Sequence, residues 1–322
     1  MIYNNIEIPV MDPIAPDAGR FAVILAGGEG SRLRSLTRAI AGDDRPKQFC
    51  PILNGRTLLD AARERCALTV DPENTFYSLT QKHEKYYERP LWNVRERQMI
   101  VQPENKGTAP AILYSLIRLA ATSADATVAF LPSDHFFSDD EGFMRSVDSA
   151  FDAVETDPSS IVLLGFEPDK AETSYGWIEP ARSLFGDLSH SFSRVSRFWE
   201  KPSAGVAKQL LASGCLWNSF VMIGKVGTFL DLFRRHLPEM YRIFAAAAKE
   251  FGTPRESAVV RSIYAWIDES NFSGDVLERS SNELLVMRVD DVGWSDWGEP
   301  QRVLGTLNTL GVSMDWMHAI AA

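Results

Sequence analysis

The sequence predicts an α/β fold, a mostly parallel sheet with helices on both faces, and three observations carry that prediction. Short unbroken apolar runs, FAVILA (21–26), TVAFLP (127–132) and IVLLGF (161–166), are rich in β-branched or aromatic residues, as strands covered on both faces should be. Segments with apolar residues at three- and four-residue spacing lie between them, and alternating strands and helices argue for parallel pairing. The 322 residues, 45% hydrophobic and 24% charged, suffice for one large or two ordinary domains of a soluble globular protein.

Residues 1–20, MIYNNIEIPVMDPIAPDAGR, have neither a basic n-region nor an apolar h-region and read as an N-terminal arm rather than a signal peptide. No apolar run approaches the ~20 residues that cross a bilayer, so a cytoplasmic protein without a membrane partner is expected. FAVILA is the first strand. It breaks into Gly27, Gly28 and Gly30, whose backbone N–H groups can approach phosphate oxygens. The dinucleotide-binding fingerprint fails because Leu33 stands where a third small residue should pack, which disfavours a nicotinamide-dependent oxidoreductase, and no Gly-Lys-Ser/Thr completes a Walker loop.

TAPAILYSLIRLAA (108–121) reads as a helix behind a Thr108 cap with Pro110 in its first turn. TVAFLP runs into LPSDH (131–135), which sets Asp134 at a strand's carboxyl end, where ligands collect in such sheets. An acidic residue there is either a helix N-cap or a metal ligand. After IVLLGF, SAGVAKQLLASG (203–214) reads as a helix capped by Ser203 and stopped by Gly214. From Gly227 to Ile267 the pattern is mostly helical, a helical insertion in the C-terminal half. ELLVMRVDDVGWSDWG (283–298) returns to strand and turn and places Asp296 in a tight turn. No linker or repeat interrupts the chain, so one elaborated domain is expected over 21–300. The 301–322 tail reads as a helix that packs on its own domain or docks a second copy, which leaves a homodimer open.

A net charge of −10 argues against a broad nucleic-acid footprint. Within it, residues 30–47 hold five basic residues (Arg32, Arg34, Arg38, Arg45, Lys47) against Asp43 and Asp44. Arg38 and Arg45 read as surface residues, whereas Arg32 sits where its fork can meet a phosphate held by the glycine loop. Cys50, Cys66 and Cys215 are widely spaced, without CxxC, and read as reduced structural cysteines.

GGEGSRL followed by RPKQF resembles the signature of the sugar-phosphate nucleotidyltransferases, and PKQF resembles the mannose-1-phosphate guanylyltransferase branch. Arg34 and Ser35 stand where members have an aromatic residue and a proline. Further blocks follow in family order from 21 to about 300: QPENKGTAPAI (102–112), LPSDH, SYGWIEP (174–180), WEKP (199–202), CLWNSF (215–220), FSGDVLERS (272–280) and VGWSDWG (292–298). The resemblance implies a Rossmann-like, glycosyltransferase-A-like domain whose sugar-binding part spans about 165–300. It implies that Gly27, Gly28, Gly30, Ser31, Gln102, Asn105, Gly107, Thr108 and Ser133 hold a nucleoside triphosphate, with Gln102 offering a donor and an acceptor to a purine edge. It places Gly176, Glu179, Glu200, Asn218, Asp275 and Glu278 on a sugar 1-phosphate, Arg32, Lys47 and Lys201 on the reacting phosphates, and Mg²⁺ on Asp134 and Asp296. The tryptophans Trp177, Trp199 and Trp217 also read as ordinary core.

The implied reaction joins a sugar 1-phosphate, mannose 1-phosphate first, to a nucleoside triphosphate, GTP first, and releases pyrophosphate. Because a phosphate monoester is mostly dianionic at pH 7, no protein nucleophile is required, and no Ser/His/Asp or Cys/His arrangement is evident. A non-catalytic nucleotide-sugar-sensing regulator on the same fold is the rival. With about two dozen residues after VGWSDWG, a fused isomerase activity is not expected.

Overall fold

A computed structural model describes residues 19–53, 55–181, 192–314 and 316–317. The N-terminal arm through residue 18 and the last residues of the tail lie outside them. The first half runs β1 (Arg20–Leu25), α1 (Arg34–Ala41), α2 (Leu58–Cys66), β2 (Thr75–Thr80), α3 (Glu84–Tyr87), β3 (Met99–Gln102), α4 (Thr108–Ala120), β4 (Thr127–Pro132) and α5 (Asp140–Thr156). The second half runs β5 (Ile161–Phe166), β6 (Gly176–Pro180), β7 (Phe192–Glu200), α6 (Ala204–Ala212), β8 (Leu216–Lys225), α7 (Val226–His236), α8 (Pro238–Ala247), α9 (Glu256–Trp266), α10 (Phe272–Asp275), β9 (Leu284–Val289) and α11 (Pro300–Thr309).

One sheet of nine described strands threads both halves in the order β3-β2-β1-β4-β8-β5-β9-β7-β6, with β6 also touching β8. In β1 the side chains alternate. Phe21 and Val23 face a core made with α4 and α7–α9, whereas Ala22 and Ile24 face a second core made with α2 and α5. Both faces are dry, which is why the run carries no polar residue. A smaller third core joins Leu33 and Leu36 to Trp297, Val303 and Leu307 and fastens α11 to the glycine-loop end. Cys50, Cys66 and Cys215 are all free and buried.

The N-terminal strands β3, β2, β1 and β4 are parallel as expected. The sheet as a whole is mixed, because β8 runs antiparallel to both β4 and β5, and β7 runs antiparallel to β6 and β9. Apolar strands covered on both faces look the same in either direction, so the residue pattern does not reveal the reversal. Ser203 caps α6 as expected, accepting from Val206 N at 3.5 Å. Thr108 does not cap α4. It is the first helical residue, Gly107 holds the cap position, and the Thr108 hydroxyl accepts from Phe272 N at 2.8 Å. Arg45 is half-buried rather than a free surface residue, paired with Asp43 at 2.7 Å and stacked over Tyr86. Among the described residues no helix is long and apolar enough to cross a membrane.

Candidate active site

Parallel pairing brings the carboxyl ends of β1–β4 to one edge of the sheet, and a cleft of about 350 Å³ opens there. Gly27, Gly28, Asn105, Gly107 and Thr108 line it together with Gln102, Ser133 and Asp134. Gln48, from the PKQF stretch, shapes the glycine loop from beneath, its Nε2 donating to the carbonyls of Ala26 (3.0 Å) and Gly28 (2.8 Å). Gly30 has φ +58, and a Cβ there would stand 2.8 Å from Lys47 N, so the loop presses directly on the PKQF turn. Ser31 is exposed at the start of a short 3₁₀ turn outside the cleft lining. Arg34, at the position where the signature departs, lies 3.7 Å from Glu29, which also pairs with Lys82.

The far wall comes from a segment that no local sequence signal places here. Ser270 N donates to Lys106 O (3.0 Å) and Ala109 N to Ser270 O (3.1 Å). With the Phe272–Thr108 bond, these pairs zip 106–109 to 270–272, and Glu269, Ser270 and Asn271 line the cleft. Asn105 closes its own turn by accepting from Gly107 N at 2.9 Å. The expectation that Gln102 offers a donor and an acceptor meets an amide that is engaged at both ends. Its amide is 2% exposed, its Oε1 accepts from Tyr264 Oη at 2.8 Å, and its Nε2 reaches Ser78 Oγ (3.2 Å) and Leu79 O (3.4 Å).

Lys47 ties the two halves of the chain together. Its ammonium is nearly buried, pairs with Asp134 Oδ2 at 3.1 Å, and donates to the carbonyls of Asp296 (2.5 Å) and Trp297 (3.3 Å). An isolated antiparallel bridge, Phe136 N to Ser295 O at 2.9 Å and Ser295 N to Phe136 O at 3.0 Å, lays the LPSDH and VGWSDWG segments side by side. Burial alone would raise the Asp134 carboxyl, but the Lys47 charge holds it below its ordinary value. Burial drives His135 down to about 4 against the pull of Asp134; the imidazole is neutral at pH 7, with Nδ1 accepting from Trp294 Nε1 at 3.2 Å.

Asp296 is almost fully buried, and its Oδ1 accepts from Gly298 N at 3.0 Å. Arg32, mostly exposed, stands 3.9 Å from Asp296 Oδ2, and His135 Nε2 stands 3.9 Å from Asp134 Oδ1. One oxygen of each carboxylate is therefore held only at a distance. Two such oxygens suit Mg²⁺, which takes one or two carboxylates and completes its shell with water and substrate phosphate oxygens. Among the described residues no group of three or more His, Cys, Asp or Glu forms a closed metal cage. Tyr175 adds a buried hydroxyl beside Asp296, raised well above its ordinary value by burial and then by the Asp296 charge.

Of the residues expected on the sugar side, Gly176 and Glu179 lie on β6, Glu200 on β7 and Asn218 on β8. Gly176 pairs with Glu200 across β6–β7, and Lys201 Nζ lies 3.0 Å from Glu200 Oε1 with its side chain mostly exposed. Asn218 accepts from Phe220 N at 3.2 Å, and Phe220 lines the nucleotide-sized cleft, so β8 joins the two regions. A Cβ on Gly274 would stand 3.7 Å from Glu200 Cγ, so α10 spans from the cleft to the sugar side. Among the described residues Lys201, Phe220, Asp291 and Trp297 are the non-glycine positions with left-handed backbone, and all but Asp291 flank this arrangement. Such strain persists only where the surroundings enforce it. Glu179 accepts from Trp199 Nε1 at 3.3 Å, while Trp177 and Trp217 are buried in core. Asp275 is half-buried, and its Oδ2 accepts from Ser270 Oγ (2.6 Å) and Asn271 N (3.0 Å). Glu278 is exposed on a 3₁₀ turn.

Three relatives share this chain's pattern. The mannose-1-phosphate guanylyltransferase of Escherichia coli (strain K12) is 28% identical over 288 residues, 86% of this chain and 58% of that protein. The alginate biosynthesis protein AlgA of Pseudomonas aeruginosa is 27% identical over 288 residues, 86% of this chain and 56% of its own length. The xanthan biosynthesis protein XanB of Xanthomonas campestris pv. campestris (strain B100) is 28% identical over 289 residues, 86% and 57%. The chain thus spans somewhat more than half the length of these curated relatives. A crystal structure titled mannose-1-phosphate geranyltransferase, from Thermus thermophilus, superimposes with a TM-score of 0.75 at 28% identity, covering 88% of this chain and 79% of that one. A mannose-6-phosphate isomerase structure from Helicobacter pylori shares the fold, with a TM-score of 0.68 at 20% identity over 86% of this chain and 99% of that one. The nucleotidyl transferase family model matches residues 21–309, which includes the glycine loop, Lys47 and both aspartates. A match over that much of the chain makes this protein a member of the nucleotidyl transferase family.

Proposed function

We propose that the chain transfers the nucleotidyl group of a nucleoside triphosphate, GTP first, to a sugar 1-phosphate, mannose 1-phosphate first, with release of pyrophosphate. The observation that carries this is the Lys47 ammonium, which holds the Asp134 carboxylate and the Asp296 turn together at the mouth of the cleft. The names borne by the guanylyltransferase and polysaccharide-biosynthesis relatives support the choice of substrates.

In the proposed reaction an oxygen of the sugar phosphate attacks the α-phosphorus, a new P–O bond forms in line, and the bond from the α-phosphorus to the bridging oxygen breaks with its electrons leaving on pyrophosphate. The attacking phosphate is already mostly dianionic at pH 7, so the protein need supply no base, and neutral His135 is not asked to act as one. The glycine loop would cradle the triphosphate on backbone N–H groups. Lys47 and Arg32 would neutralise the charge that grows on the leaving group, and Lys201 would orient the attacking phosphate; positioning and charge stabilisation supply the rate. Asp134 and Asp296 would hold Mg²⁺, which would help neutralise the charge of the triphosphate. The three free, buried cysteines fit a reducing, cytoplasmic setting.

The test is pyrophosphate release in Mg²⁺ from four nucleoside triphosphates crossed with several sugar 1-phosphates, with Asp296→Asn as blank. Turnover with GTP and mannose 1-phosphate supports the full reading. Turnover with another pair moves the specificity, and silence in every pair while a nucleotide-sugar still binds overturns catalysis.

A further inference from the structure

We infer that Tyr264, on helix α9 and far from the phosphate chemistry, sets base selectivity: its hydroxyl locks the Gln102 amide so that only N–H faces the cleft, which selects bases with a carbonyl oxygen at the contacted edge. The inference rests on the nucleotide-binding reading of the cleft and deepens it.

The geometry fixes the amide from both ends. Tyr264 Oη lies 2.8 Å from Gln102 Oε1. Tyr264 is 1% exposed, and burial, with Glu104 adding to it, raises its hydroxyl above the ordinary value, so it stays protonated and donates. At the other end the Leu79 carbonyl, 3.4 Å from Nε2, accepts and cannot donate, so the amide nitrogen must face it. Turning the amide over would set Oε1 against that carbonyl, acceptor against acceptor in a buried place. A primary amide has two N–H bonds. Besides its reach to Ser78 and Leu79, Nε2 stands beside Gly27, a residue of the cleft lining, where a Cβ would be 3.2 Å from it.

With Oε1 turned to Tyr264 and Nε2 beside the cleft-lining Gly27, the amide presents its donor end to the cleft. A 6-oxo purine answers that donor and a 6-amino purine opposes it, and a site built around a fixed hydrogen-bond partner rejects the analogue that cannot make the bond. The tyrosine comes from the helical insertion, 162 positions along the chain, so helices that touch no phosphate would read the base through one hydroxyl.

The experiment is calorimetric titration in Mg²⁺ of wild type and Tyr264→Phe with GTP, ITP and ATP. ITP shares the 6-oxo group with GTP but lacks its 2-amino group. Wild type should bind GTP and ITP alike and ATP at least tenfold more weakly. Tyr264→Phe should lose most of that gap while still binding all three. Turnover, measured alongside, should show the loss in KM rather than kcat. Wild type that binds ATP as tightly as GTP, or Tyr264→Phe with the gap intact, overturns the inference. Should Tyr264→Phe not fold, Gln102→Met is titrated in its place; it should equalise GTP and ATP, and a preserved gap overturns the inference equally. Because binding is read directly, failure of the proposed transfer reaction would appear separately, as intact selectivity without pyrophosphate.

Discussion

Lys47 carries a full charge into a nearly dry position, and such a charge is retained where a paired carboxylate and carbonyl acceptors surround it. In the proposed reaction that arrangement would be a stabiliser set in place before any anion arrives, and removal of one such group commonly costs about 10²–10³ in turnover. Lys47→Ala and Asp134→Asn are each expected to lower kcat by about 10² or more with native circular dichroism retained. Near-normal turnover in either folded variant removes these residues from the machinery. Lys47, Asp134 and Asp296 are legible in the sequence because each is a charged residue held in a recognisable motif, two of them after apolar strands. The state of Gln102 is not legible. Its partners Ser78 and Tyr264 lie 24 and 162 positions away, and nothing local to QPENKG announces them.

At the scale of elements, the far wall of the cleft depends on one turn meeting another. Gly107 has φ +88, and a Cβ there would stand 2.3 Å from the Ser270 carbonyl, which itself accepts from Ala109 N. Gly107→Ala must therefore move backbone against backbone while holding a left-handed conformation, a strain on the order of 1–3 kcal/mol before the clash is counted. The expected outcome is a lower melting temperature together with at least tenfold weaker nucleotide binding, since 270–271 would leave the cleft. A variant with unchanged melting and affinity shows that this contact does not shape the site. The strands at 21–26, 127–132 and 161–166 are readable because two dry faces demand unbroken apolar residues. The wall at 270–272 is not readable, and Thr108 reads as a cap for the same reason. A hydroxyl at a helix start ordinarily serves its own helix, and only the tertiary fold turns this one toward Phe272 N.

For the molecule as a whole, the sheet joins both halves, while α11 is fastened back across the site by charge as well as by its apolar face. Arg302 on α11 donates to Glu172 Oε2 at 2.9 Å and lies over the rings of Tyr175 and Trp217. Glu172 Oε1 meanwhile accepts from Ser174 N (3.1 Å) and Ser174 Oγ (3.0 Å). Burial alone would raise this carboxyl, yet the hydrogen bonds from Ser174 and then Arg302 bring it from an ordinary 4.5 down to about 2. A carboxyl depressed by folding adds stability that is fully present above its unfolded value and is lost as pH falls through its folded value. The window for Glu172 is therefore about pH 4.5 down to 2. With solvent screening allowed for, the contribution is on the order of 1–2 kcal/mol. Glu172→Gln should then be less stable than wild type at pH 7 by about that amount in denaturant titration, and the gap should narrow steadily below pH 4.5. Because the other carboxylates titrate alike in both proteins, the difference isolates Glu172. A gap of the same size at pH 7 and at pH 2.5 would mean that shape and packing, rather than the ionised carboxylate, hold α11 to the sugar side of the site.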